Sequence, residues 1–147
     1  MTHPVLPLAF LFACSATRTT ASDAARYEIE QRRWEARPLL VFAPDPADPR
    51  WEQQTGALDD TKAGLAERDM DDVRIAGDSG TANGDEMVAD DVAALRARYD
   101  VETDDFAVIL VGKDGGEKLR VTETIAIDEI FATIDAMPMR RREMQTG

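Results

Sequence analysis

The sequence predicts an α/β domain: a mixed sheet of about four strands flanked by helices, behind a short leader. Three observations carry this. "LLVF" (39–42) and "FAVILVG" (106–112) are nearly unbroken apolar runs, the pattern of strands buried on both faces. Elsewhere apolar residues recur at helical spacing. "KDGG" (113–116) is turn chemistry, because Gly and Asp tolerate positive φ, and it folds the chain back after the second run. A length of 147 residues suits one domain of ordinary size, and 31% charged with 44% hydrophobic residues is a globular composition.

The elements follow in order. "YEIEQRRWEARP" (27–38) leads in with a short helical stretch, and Tyr27 and Trp34 are expected to cover an edge of the core. The first strand is 39–42. Asp48-Pro49 then reads as a helix N-cap followed by proline at the first helical position. Trp51, Leu58 and Leu65 recur every seven residues and share one face of a helix from Pro49 to about Ala66, which Gly56 and Gly64 weaken. "DDVRIAG" (71–77) alternates Val73 and Ile75 as a second strand, parallel to the first through a right-handed crossover. "GDSGTANGDE" (77–86) is a loop by composition. Val88, Val92, Leu95 and Tyr99 line one face of the next helix. The strand 106–112 turns at 113–116 into "EKLRV" (117–121). Ile127, Ile130, Phe131 and Ile134 define a last amphipathic helix, ended near Pro138, and "MRRREMQTG" follows as a frayed basic tail. A βαβ half followed by a ββα half is the thioredoxin arrangement.

"RPLLVFAP", "DPR", "KAGLAERDM", "FAVILVGKDGGEKLR" and "IDAMPMRRREM" together resemble the bacterial domain of unknown function 4174, over about residues 26–145. The resemblance implies a thioredoxin-like fold, related to domains of secreted sushi-repeat matrix proteins, and an exported protein of unsettled activity. It carries over no catalytic residue. Two thioredoxin positions can be checked in the residues themselves. The redox cysteine pair belongs at Ala43 to Asp48, where the chain has "APDPAD". The groove proline belongs at Asp104, Asp105 or Phe106, where there is none.

Residues 1–23 are expected to be the leader and 24–147 the domain. Val5 to Ala13 is an apolar run interrupted by Pro7, too short for a bilayer, which takes about 20 residues. Small and polar residues follow, the shape of a secretory signal, although only His3 and the terminal amine supply positive charge before it. Two readings stand. "LFAC" (11–14) resembles a lipoprotein box, which would lipidate Cys14 and anchor the chain in a membrane. Alternatively, cleavage follows Ala16 or Ala21. Cys14 is the only cysteine and His3 the only histidine. The domain therefore has no histidine, and no cysteine beyond an acylated Cys14. Thiol peroxidase chemistry, disulfide exchange, histidine-dependent triads and histidine-based zinc or haem sites are excluded. No cofactor is expected. The formal net charge of −12 repels nucleic acid and anionic lipid surfaces.

Four candidate sites remain. The first is the junction Pro44, Asp45, Pro46 and Asp48, a recognition surface beyond a strand end; its plain alternative is Asp48 as a cap and prolines stiffening a turn. The second is the acid set Asp78, Asp85, Glu86, Asp90 and Asp91, which would suit calcium but does not follow the EF-hand spacing; acids at a helix start are the plain reading. The third is Met137, Met139, Arg140, Arg141 and Arg142, residue types enriched at interfaces; the alternative is methionines sealing the core, with arginines at a helix C-terminus. The fourth, a carboxylate enzyme, needs one acid with a raised pKa in a pocket, and no pair stands out. The leading expectation is a non-catalytic module of the bacterial envelope that binds a protein or matrix partner. A degenerate redox or peroxide-related enzyme and a calcium-dependent binding protein are the alternatives.

Overall fold

The computed structural model describes residues 24–146. The leader, with Cys14 and the proposed cleavage sites, lies outside the described residues. Six strands form one mixed sheet: β1 (Arg37–Ala43), β2 (Met70–Ala76), β3 (Ser79–Ala82), β4 (Asp85–Glu86), β5 (Ala107–Val111) and β6 (Glu117–Val121), in the order β4-β3-β2-β1-β5-β6. The four expected strands occupy the middle and one side. β1 pairs parallel with β2 and antiparallel with β5, and β5 pairs antiparallel with β6.

Every residue of β1 is buried, because both its faces are covered. Leu40 and Phe42 join Val73, Ile75 and Ile109 on one face, beneath helix α3 (Ala89–Tyr99), where Val92, Leu95 and Tyr99 close the layer as their spacing requires. Leu39 and Val41 join Val108 and Leu110 on the other face. There Leu58 of α1 (Pro49–Asp59), Leu65 of α2 (Lys62–Glu67) and Ile127, Ile130 and Ile134 of α4 (Ile127–Asp135) complete the core.

Four expectations are corrected. The helix from Pro49 to Ala66 is two helices. The Thr61 hydroxyl donates to the carbonyls of Ala57 and Leu58 at 2.9 and 3.3 Å, satisfying groups that the helix would otherwise bond. Leu58 and Leu65 still face the same core, so the seven-residue spacing survives the break. The segment 77–86 is a hairpin rather than a loop, and it adds β3 and β4 to the β2 edge. Asn83 and Gly84 sit at φ of 52° and 87°, the left-handed pair of a tight hairpin turn. Trp34 covers nothing: it is 63% exposed, at φ 68°, with its amide donating to the Lys113 carbonyl at 2.6 Å. Tyr27 is buried as expected, its hydroxyl donating to buried Asp71. Finally, the basic tail is a helix, α5 (Pro138–Thr146).

Candidate functional site

The junction after β1 is built from local hydrogen bonds. Asp45 Oδ1 accepts from the Ala47 amide at 2.7 Å, and the Asp48 amide donates to the Asp45 carbonyl at 3.3 Å. This closes the proline-flanked turn. Asp45, Pro46 and Ala47 are exposed, while Pro44 and Asp48 are half-buried. Asp48 is the α1 N-cap: its Oδ1 accepts from the Arg50 amide at 2.9 Å, and Pro49 occupies the first helical position.

Asp48 also pairs with the Arg50 guanidinium. Nε reaches Oδ1 at 3.0 Å and Nη2 reaches Oδ2 at 2.8 Å, a two-pronged contact. These bonds hold the Asp48 carboxyl below the usual carboxylate range. The guanidinium centre lies 4.8 Å from the ring centroid of Phe106, the residue before β5. The two thioredoxin positions, the thiol junction and the groove proline, are thus bridged by Asp48, Arg50 and Phe106. A cleft of about 380 Å³ opens beside them, lined in part by Asp104, Asp105 and Arg120.

Arg96 supports this end of the sheet from below. It is 7% exposed and donates to three backbone carbonyls: Gly77 at 3.1 Å, Glu102 at 2.8 Å and Ala43 at 3.0 Å. Its guanidinium centre lies 5.5 Å from the Phe42 ring centroid. Burial lowers its pKa, against the opposing fields of Asp78 and Asp105. It thereby joins the ends of β1 and β2 to the loop before β5. The sequence reading missed Arg96. Its signal was position: it lies four residues after Val92 and next to Leu95, within the apolar stripe of α3.

The acid set does not converge. Asp91 is buried and accepts from the Tyr27 amide at 2.7 Å and from Arg26 at 3.2 Å. Asp90 is exposed in the first turn of α3, and Asp85 is exposed on β4. Among the described residues, no group of three or more Asp, Glu, His or Cys is arranged to hold a metal ion.

The Met137–Arg142 run lies elsewhere. Met137 packs, half-buried, against the core face of β1 and β5. Arg140 is buried at 5% exposure and donates to the Glu67 carbonyl at 3.1 Å, to Glu67 Oε1 at 3.2 Å and to Asp135 Oδ1 at 3.3 Å. Arg141 and Arg142 are exposed, and Met139 is half-buried. Glu143 bonds to Arg37, the first residue of β1, whereas the junction follows Ala43, the last. The two candidate surfaces therefore sit at opposite ends of one strand.

A model of a known family matches residues 28–143. The chain belongs to the DUF4174 family, a domain of unknown function. This DUF4174 domain is 26% identical over 120 residues to the sushi repeat-containing protein SRPX2 of Xenopus laevis, a match covering 79% of the chain and 26% of that protein. The chain thus spans about a quarter of the length of this relative. Among solved structures it resembles thioredoxin peroxidase I of Plasmodium yoelii, with TM-score 0.59 and 21% identity over 77% of this chain and 79% of that one. The reduced 2-Cys peroxiredoxin of Plasmodium vivax matches with TM-score 0.57 and 17% identity, covering 77% and 83%. The likeness is one of fold: the DUF4174 domain has a thioredoxin-like α/β architecture.

Proposed function

We propose that this DUF4174 domain is an exported, non-catalytic binding module of the bacterial envelope, with the thioredoxin fold serving as a scaffold for a protein or matrix partner. One observation carries the reading. At the strand–helix junction where a thioredoxin-like enzyme holds its thiol, this chain has an internal ion pair stacked on an aromatic ring, Asp48–Arg50 over Phe106. A group already paired and stacked has no free nucleophile to offer. The junction Pro44 to Asp48, whose Asp45, Pro46 and Ala47 are exposed, is the surface offered for contact instead. The second contact surface is α5, with exposed Arg141 and Arg142 and half-buried Met139 toward the partner, while Met137 packs on the core and Arg140 seats the helix. Export rests on the leader: the run Val5 to Ala13, and either lipidation at Cys14 or cleavage after Ala16 or Ala21.

The test is photo-crosslinking in the native envelope, with the crosslinking residue placed at Asp45, at Arg141, or at exposed Lys62 as a control. Adducts to one protein from Asp45 or Arg141, and none from Lys62, are the expected result. The mature N-terminal peptide, read by mass spectrometry, checks export. The resemblance to peroxiredoxin folds favours a second reading, a redox enzyme in altered form. Peroxide turnover or insulin reduction by the purified protein would establish it and overturn the binding reading.

A further inference from the structure

The C-terminal helix is joined to the domain almost entirely through charge. Arg140 is the only buried residue of α5, and Met144 on its outer side is 47% exposed. Nine residues of helix are not stable alone in water, so docking must hold α5 in place. Besides the seat of Arg140 on Glu67 and Asp135, the docking contact is Glu143. Its two carboxylate oxygens receive Nη1 and Nη2 of Arg37 at 3.2 and 3.1 Å, and Oε1 also receives Lys113 Nζ at 2.7 Å.

The receiving site is unusual for a surface helix contact. The Arg37 side chain is 1% exposed and that of Lys113 10% exposed, while Glu143 keeps 26%. Arg37 Nη1 is oriented by a second bond to the Arg68 carbonyl at 2.9 Å, and Arg37 Nε is buried with no partner. A planar guanidinium fork beside an ammonium group, both largely out of water, is a recognition geometry for carboxylate. Lys113 is also paired with Asp69 Oδ2 at 2.8 Å, but among the described residues Glu143 supplies the carboxylate on Arg37. The site cannot stand empty, because a buried unpaired guanidinium is strongly unfavourable. The chain fills it with a residue on a polar helix. That helix is linked to α4 by only Ala136 and Met137, with Pro138 restarting the helix.

We propose that α5 is a charge-held latch: Glu143 is the intramolecular occupant of an Arg37–Lys113 carboxylate site, and an acidic segment of a partner protein takes its place when α5 swings away. The latch stands on the geometry alone, while the competing ligand rests on the binding-module reading.

Hydrogen exchange on the full chain separates the two. In Glu143→Gln the amides of residues 141–146 exchange at least tenfold faster than in the wild type, with β1 and β5 amides unchanged. Equal protection of α5 in both proteins overturns the latch; so does a rise shared equally by β1 and β5, which would make α5 part of the global fold. The wild type is then mixed with a glutamate decapeptide or a glutamine decapeptide. Acceleration of α5 exchange at least fivefold by the glutamate peptide alone supports the competitor. No acceleration, or equal acceleration by both, overturns it while leaving the latch to the first measurement. The wild-type arm holds even if the variant fails to fold.

Discussion

Asp48 and Arg96 show how single side chains define the end of this sheet. Asp48 caps α1 and pairs with Arg50. Asp48→Ala removes both interactions, whereas Asp48→Asn keeps an acceptor for the Arg50 amide. Urea denaturation is expected to show a lower midpoint for Ala than for Asn; equal midpoints would mean that the cap contributes nothing. Arg96 holds three carbonyls in a buried place. Arg96→Met keeps the volume and takes the guanidinium donor from the Gly77 carbonyl, while the Ala43 and Glu102 carbonyls keep the amides of Gly77 and Asp105, at a cost of about 1–3 kcal/mol. A change in unfolding free energy below about 1 kcal/mol would show that water replaces the guanidinium. Of these two residues, Asp48 was legible in the sequence because a cap is a local device. Arg96 was not, because its acceptors lie in three separate segments. Arg140 shows the same limit. Its neighbours Arg141 and Arg142 are chemically identical and exposed, and only the packing of α5 on Glu67 and Asp135 singles it out.

At the scale of elements, the hairpin of β3 and β4 is where composition misleads. Its Gly, Ser, Thr, Ala and Asn residues read as loop, yet Asn83-Gly84 is the dipeptide that a two-residue hairpin turn demands. The small residues have a packing reason. A Cβ on Gly80 would lie 2.7 Å from the Arg74 carbonyl oxygen and 2.9 Å from Ile75 Cγ1. Gly80→Ala is therefore expected to cost about 1–3 kcal/mol, the range for overpacking. Thermal unfolding checks this, and a variant as stable as the wild type would mean that the edge strand yields freely. The α1–α2 break has a different origin. Periodicity marked the buried face correctly across it, but the Thr61 hydroxyl and the backbone bonds of Asp60 and Thr61 end the first helix, which apolar spacing does not record.

For the whole molecule, the many internal ion pairs set the response to acid. Burial pushes the Asp71 carboxyl up, but bonds from Arg32, Asn83 and Tyr27 outweigh it and bring it below the usual range. Arg68 lowers Asp135. Burial raises Glu143, and Arg37 with Lys113 more than reverse this. In the unfolded chain such groups titrate near pH 4. A depressed folded pKa means that the native state prefers the ionised form. The resulting stabilisation is complete above the unfolded value and is lost as pH falls through the folded values. The melting temperature by circular dichroism is thus expected to be flat from about pH 7 to 5 and to fall below about pH 4. A maximum near pH 3 would contradict this. The sequence by itself determined the thioredoxin-like order of strands and helices, the buried helix faces, the capped junction and the lack of a histidine or free thiol in the domain. These rest on residue identity and on spacings within a few positions. Only the tertiary structure decided which arginines lie inside, that a small-residue segment closes one edge of the sheet, and that the two candidate surfaces are at opposite ends of β1. The reason is distance along the chain: Arg96 meets Ala43 across 53 residues, and Arg37 meets Glu143 across 106. No local pattern encodes a pairing made at that range.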